Sequence, residues 1–127
     1  MRPRILIADD DEGIRDIFQI LLTREGYEVD IRSGGDEILS DNFKVPQLFL
    51  IDKQLSGCSG LDICRHLKSQ FATQHIPVIM ISASPDIGIL SKQAGADDYL
   101  EKPFDINCLL RMIKEQLQKQ QLAGSLH

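Results

Sequence analysis

The chain has 127 residues, of which 43% are hydrophobic and 26% charged, and it carries a formal net charge of −5. That is one domain with enough apolar residues for a core, and its acidity excludes binding of nucleic acid or anionic lipid through net charge, which needs a basic face. Cys58, Cys64 and Cys108 are odd in number and have neither CxxC nor zinc-type spacing, so they read as reduced thiols of a cytoplasmic protein. No apolar stretch approaches the ~20 residues of a membrane span, and Met1-Arg2-Pro3-Arg4 leads straight into a strand with no signal peptide before it. His66, His75 and His127 are scattered and acquire no role.

Arg4 to Ala8 is a continuous apolar run, the mark of a strand buried on both faces, and it ends in Asp9-Asp10-Asp11-Glu12. Ile14, Ile17, Phe18, Leu21 and Leu22 then recur at helical spacing, and Gly26 stops that helix. Tyr27, Val29 and Ile31 alternate with Glu28 and Asp30, which predicts a strand with one wet face. Gly34-Gly35 is a turn, and Asp36 to Ser40 a short, weak helix. Leu48 to Ile51 is a second buried run, ended by Asp52. Gly60 to Ser69 is helical, with Leu61, Cys64 and Leu67 inward. Pro77 to Ile81 is a third buried run, ending at Ser82. Asp86 to Gln93 is a modest helix weakened by Gly88. Gly95-Ala96 turns the chain into the alternating strand Asp98 to Glu101, which Lys102-Pro103 ends. Asp105 caps a last helix whose inner stripe is Ile106, Leu109, Leu110, Ile113 and Leu117.

Strand and helix alternate five times, which predicts a parallel α/β sheet covered by helices on both faces. The solidly apolar first, third and fourth strands belong at the centre, and the alternating second and fifth at the edges. That is the flavodoxin-like, doubly wound (βα)5 arrangement of order 2-1-3-4-5. In it the first and third strands are neighbours, and a crevice opens beyond their C-terminal ends. Asp9 and Asp10 end one strand and Asp52 the other, so three carboxylates converge. Their repulsion invites a divalent cation, and Mg²⁺ suits hard oxygen donors with sites left for water and a phosphate. Ser82 and Lys102 end two further strands and face the same crevice. A nucleophile, metal ligands, a hydroxyl and a lysine at strand ends point to phosphoryl transfer onto Asp52.

These residues carry a resemblance over roughly residues 4 to 118. Ile5 to Asp11, Leu50-Ile51-Asp52 with Gly60 downstream, Met80-Ile81-Ser82-Ala83 and Gly95 to Phe104 resemble the receiver domain of bacterial two-component response regulators. The domain is expected to span residues 1–121, with 122–127 a short C-terminal tail. The resemblance implies Asp52 as the phosphoacceptor, and Mg²⁺ held by Asp9, Asp10, Asp52 and the backbone carbonyl of Gln54. Lys102 would pair with the phosphoryl group, Ser82 and Tyr99 would be switch residues, Gln54 and Ser84 would tune phosphoryl lifetime, and the Lys102-Pro103 bond would be cis. The implied partners are a sensor histidine kinase or phosphotransfer protein, and a downstream partner or output domain met through the fourth helix, fifth strand and fifth helix. Direct nucleic-acid or membrane binding is not expected, and a phosphorylation-linked dimer is compatible with the family. The protein would be a signalling domain, not an enzyme, catalysing only its own phosphorylation and slow dephosphorylation. It is expected to be either a single-domain regulator or a receiver from a longer protein.

Three residues depart from the family pattern. Lys53 follows the phosphoacceptor where an apolar residue is usual. Ser56 replaces a usual proline, which leaves the loop more mobile. Ser82 is the less common hydroxyl residue. Competing readings are a haloacid-dehalogenase-type phosphatase using Asp9 and Asp11, a flavin-binding module, and a degenerate receiver that only binds. The first lacks a Thr or Val near Gly13 and a later acidic pair. The second would want hydroxyls and amides, not carboxylates, after the first strand. Against the third, every catalytic position is filled.

Overall fold

A computed structural model describes residues 2–125, with side chains described as far as residue 120. Among the described residues, seven strands and five helices occur in the order β1 (Arg4–Ala8), α1 (Glu12–Arg24), β2 (Glu28–Arg32), α2 (Asp36–Leu39), β3 (Leu48–Asp52), β4 (Gln54–Leu55), β5 (Cys58–Ser59), α3 (Gly60–Ser69), β6 (Val78–Ser82), α4 (Ile87–Gln93), β7 (Asp98–Glu101) and α5 (Ile106–Ser125). The five long strands form one parallel sheet of order β2-β1-β3-β6-β7. This is the predicted 2-1-3-4-5 order, with β6 and β7 as its fourth and fifth members. The added strands β4 and β5 make a two-residue antiparallel hairpin directly after Asp52.

Alternate strand residues feed two separate cores. Ile5, Ile7, Leu48, Leu50, Ile79 and Ile81 pack with Phe18 and Leu22 of α1 and Leu109 and Ile113 of α5. Leu6, Ala8, Phe49, Ile51, Val78 and Met80 pack with Ile38, Leu61, Leu67 and Ile87 of α2, α3 and α4. Because both faces are covered, β3 and β6 are buried along their whole length. Fully burying each such side chain contributes about 1.5–3 kcal/mol before entropy is counted.

The helix ends follow from local chemistry. Asp11 caps α1 by accepting from Ile14 N at 3.1 Å. Gly26 adopts φ 92°, the left-handed turn that releases the chain into β2. Ser59 accepts from Leu61 N to start α3, and Asp105 Oδ1 accepts from Asn107 N to start α5. α4 begins after Asp86 without a side-chain cap. α5 runs on through the 121/122 boundary, and Leu126 and His127 lie outside the described residues. Gln116 is buried in the α5 stripe, a polar residue that the apolar periodicity passed over. The three cysteines are free thiols. No helix among the described residues is long and apolar enough to cross a membrane.

Candidate functional site

Parallel pairing brings the strand ends to one edge. Ala8 lies beside Ile51, and Asp52 beside Ile81, so Asp9, Asp52 and Ser82 stand at the same level. Ser82 pairs in turn with Glu101, and Lys102 N donates to Ser82 O at 2.8 Å. Lys102 thereby follows the last strand into the crevice, and its bond to Pro103 is cis.

Asp9, Asp52 and Lys102 form the centre. Lys102 Nζ donates to Asp52 Oδ2 at 2.6 Å and to Asp9 Oδ2 at 3.5 Å. Each carboxylate is also steered by backbone two residues on. Asp9 Oδ1 accepts from Asp11 N at 2.9 Å, and Asp52 Oδ1 accepts from Gln54 N at 2.8 Å. Both aspartates are well buried, Asp9 at 1% exposure and Asp52 at 8%. Burial pushes the Asp9 carboxyl up to about 6; the Asp11 amide pulls it down, the Asp52 charge pushes it up, and Lys102 pulls it down. Burial opposes the Lys102 charge, but the hydrogen bond and charge of Asp52, joined by Asp9, leave its pKa above the ordinary value.

Gly60 holds the backbone of this centre together. Its N–H donates to Lys53 O at 2.6 Å. A Cβ at Gly60 would overlap the Asp52 carbonyl oxygen and stand 2.8 Å from its carbon. α3 can start this close to the phosphoacceptor candidate only with glycine there.

The other predicted residues are more spread out. Asp10 is exposed, and its Oδ2 accepts from Ser56 Oγ at 3.5 Å across to the hairpin. Ser82 is buried at the crevice wall, where its Oγ accepts from Ser84 N at 3.0 Å and keeps its own proton available to donate. Gln54 sits in the hairpin with its side chain exposed. Tyr99 stands apart, 46% exposed on the outside of β7 and over Gly88 of α4. Lys53 reaches neither the crevice floor nor open solvent; its Nζ donates to Ser84 Oγ at 3.2 Å.

Among the described residues, no cluster of three or more His, Cys, Asp or Glu side chains is gathered to hold a metal by itself. Mg²⁺ asks for less: one or two carboxylates, a carbonyl and waters. Two neighbouring buried carboxylates, with the Lys102 ammonium bound to both, offer that donor chemistry. Asp9 and Asp52 therefore fit a small hard cation, with Asp10 and the Gln54 carbonyl close in sequence.

An apolar groove of about 520 Å³ opens beside the centre. Ile17, Leu21, Ala83, Pro103 and Phe104 line it together with Lys102. Phe104 is held there by stacking on Phe18, with ring centroids 6.2 Å apart. Ile17 is 53% exposed, which is unusual for a helix with a well-filled inner face. Ile17 recurs at the helical spacing of its apolar neighbours, and that spacing alone gives no sign of this groove.

Residues 5–114 match the family described as response regulator receiver domain. The chain is 34% identical over 122 residues to the DNA-binding response regulator MtrA of Mycolicibacterium paratuberculosis, covering 94% of this chain and 53% of that protein. It is 33% identical to the phosphate regulon transcriptional regulatory protein PhoB of Rhizobium meliloti, covering 94% and 54%. The chain thus spans about half the length of these curated relatives. Among solved structures, a CheY-like response regulator receiver domain protein from Methanospirillum hungatei superposes with a TM-score of 0.88 at 32% identity, covering 98% of this chain and 100% of the other.

Proposed function

Because the chain belongs to the receiver domain family of two-component response regulators, we propose that Asp52 is a phosphoacceptor, taking its phosphoryl group from the phosphohistidine of a sensor histidine kinase or phosphotransfer protein. The observation that carries this reading is the Lys102 ammonium bound to Asp52 at 2.6 Å while reaching toward Asp9 at 3.5 Å. It puts a fixed positive charge beside one nucleophilic carboxylate at a strand-end crevice.

Asp52 Oδ2, given up by Lys102, attacks phosphorus in line with the departing imidazole. An O–P bond forms, the N–P bond breaks, and the bonding electrons leave with the ring nitrogen. Catalysis here is positioning and charge stabilisation. The Gln54 amide holds one Asp52 oxygen and so orients the carboxylate. Lys102 shifts from carboxylate to phosphoryl oxygen as charge builds. Ser82 donates its free hydroxyl proton to another phosphoryl oxygen. Asp9, Asp10, Asp52 and the Gln54 carbonyl would hold Mg²⁺, which when bound neutralises charge on the phosphoryl oxygens.

The chain is then a switch, not an enzyme with an external product. A phosphoryl group need only favour the active conformation over the inactive one by a few kcal/mol. Ser82 and Tyr99 are the residues proposed to move between those states. The α4–β7–α5 face carries the signal to a partner or output domain, or to a second phosphorylated copy. Gln54 and Ser84 border the path of hydrolytic water. Function of this kind belongs in the cytoplasm, and the segment itself contacts neither nucleic acid nor membrane.

The test is incubation with acetyl phosphate and Mg²⁺, followed by intact mass and mapping of the modified aspartate. One phosphoryl group on Asp52, absent in Asp52→Asn, is expected. Equal modification of Asp52→Asn would overturn the assignment, and phosphate on Asp9 would point instead to DxD phosphatase chemistry.

A further inference from the structure

Lys53 does something that its place in the sequence did not announce. Its backbone N–H donates to Ile81 O at 2.8 Å, which fixes it at the end of β3. Its side chain then crosses to the segment after β6. There Nζ donates to Ser84 Oγ at 3.2 Å and lies 4.0 Å from Asp86 Oδ1. Ser84 N donates in turn to Ser82 Oγ at 3.0 Å. The Lys53 side chain keeps only 20% of its surface exposed. A lysine gives up rotamer freedom to be held in this way, so the crossing needs acceptors on the far side, and Ser84 with Asp86 supplies them.

We propose that Lys53 and Ser84 form a strap over the α4 side of the Asp52 mouth. Lys53 is a positioning residue: by holding Ser84 it narrows the way in. The proposal rests on the phosphoacceptor reading of Asp52. In-line displacement makes its consequence specific. The group that leaves during phosphorylation and the water that attacks during hydrolysis occupy the same apical position, opposite the Asp52 oxygen. A strap beside that position slows both reactions by a similar factor. A lysine that bound the phosphoryl group itself would favour phosphorylation and oppose hydrolysis.

Lys53→Met keeps the stem and removes the ammonium. It should raise both the rate of phosphorylation by acetyl phosphate and the rate of hydrolysis by about fivefold, the factor that one net hydrogen bond is worth. Lys53→Arg should restore wild-type rates. Ser84→Ala should reproduce Lys53→Met, and the double variant should be no faster than either single one. Slower phosphorylation in Lys53→Met, or effects that simply multiply in the double variant, would overturn the strap. A second readout needs no phosphoryl chemistry. Hydrogen exchange at the Ser84 amide of the unmodified protein should quicken in Lys53→Met, and unchanged exchange would also overturn the strap. Absence of any phosphorylation in the wild type would sink the reading of Asp52 instead, and the exchange measurement would still judge the strap.

Discussion

The ring of Tyr99 rests where a side chain at Gly88 would begin. A Cβ on Gly88 would stand 2.9 Å from Tyr99 Cζ and 3.0 Å from its Oη. The residue that weakens α4 as a helix is thus the one that gives the aromatic ring its outward seat. Gly88→Ala should displace the ring while strengthening the helix by up to ~1 kcal/mol, so that stability changes little or rises. NMR contacts between the Tyr99 ring and α4 check this; a ring that keeps its contacts in the variant would show that Gly88 does not set its position.

Gly60→Ala should be far more damaging. Its Cβ would collide with the Asp52 carbonyl and stand 2.9 Å from Lys53 Cα, and neither backbone atom can rotate away. A loss of about 1–3 kcal/mol in urea unfolding is expected from such overpacking, together with slower phosphorylation because Asp52 must shift. Gly57 offers a control: its φ of 82° is strained for alanine, but nothing lies within 4 Å of its Cβ. Gly57→Ala should therefore lower stability while sparing the Asp52 backbone.

Asp9 makes stability depend on pH in an unusual direction. Its pKa rises from 3.8 to about 6 on folding, chiefly by burial, so the native state binds a proton that the unfolded state releases. Stability from this group is fully present below pH 3.8 and is lost as pH rises through about 6. In metal-free buffer, wild type should lose stability relative to Asp9→Asn across that window and run parallel to it above. Urea titrations of both proteins at several pH values decide it; a difference that stays constant with pH would contradict the burial argument.

The groove beside Lys102 predicts a split between donors. Ile17→Asp puts a charge on its exposed apolar wall without touching Asp52. Phosphorylation by a cognate kinase should fall by tenfold or more, on the scale of one lost interface anchor at ~2 kcal/mol, while phosphorylation by acetyl phosphate stays as it was. Kinetics with both donors give the answer, and equal loss with each would mean that Ile17 supports the site and not the encounter.

Much of this molecule was legible in its sequence. The continuous runs at Ile5, Leu48 and Val78 and the alternation at Val29 and Tyr99 gave the sheet order, because burial on two faces or one leaves different periods. Parallel order then brought Asp9, Asp52, Ser82 and Lys102 to one edge. What stayed hidden was contact across loops. The β4–β5 hairpin is two residues per strand, too short to show any period. Gly60 was visible as a motif residue, but its collision with Asp52 is a fact of three dimensions. Lys53 and Ser84 lie 31 positions apart, and nothing local in either stretch says that they meet. Ile17 follows the helical period of a core residue and yet lies open, since α1 packs only part of that stripe.

The sheet is a party wall between two interiors. Leu50 and Ile51 are adjacent along the chain, yet one belongs to the room floored by α1 and α5 and the other to the room roofed by α2, α3 and α4. A void opened at Leu109 has no partner in common with one opened at Leu67, so the two losses should sum as independent debts. The end of the wall faces both ways. There Asp52 leans toward Lys102 on one side while its next neighbour, Lys53, ties down Ser84 on the other. A disturbance at that rim has contacts on both sides of the sheet to travel through, Lys102 on one and Ser84 on the other.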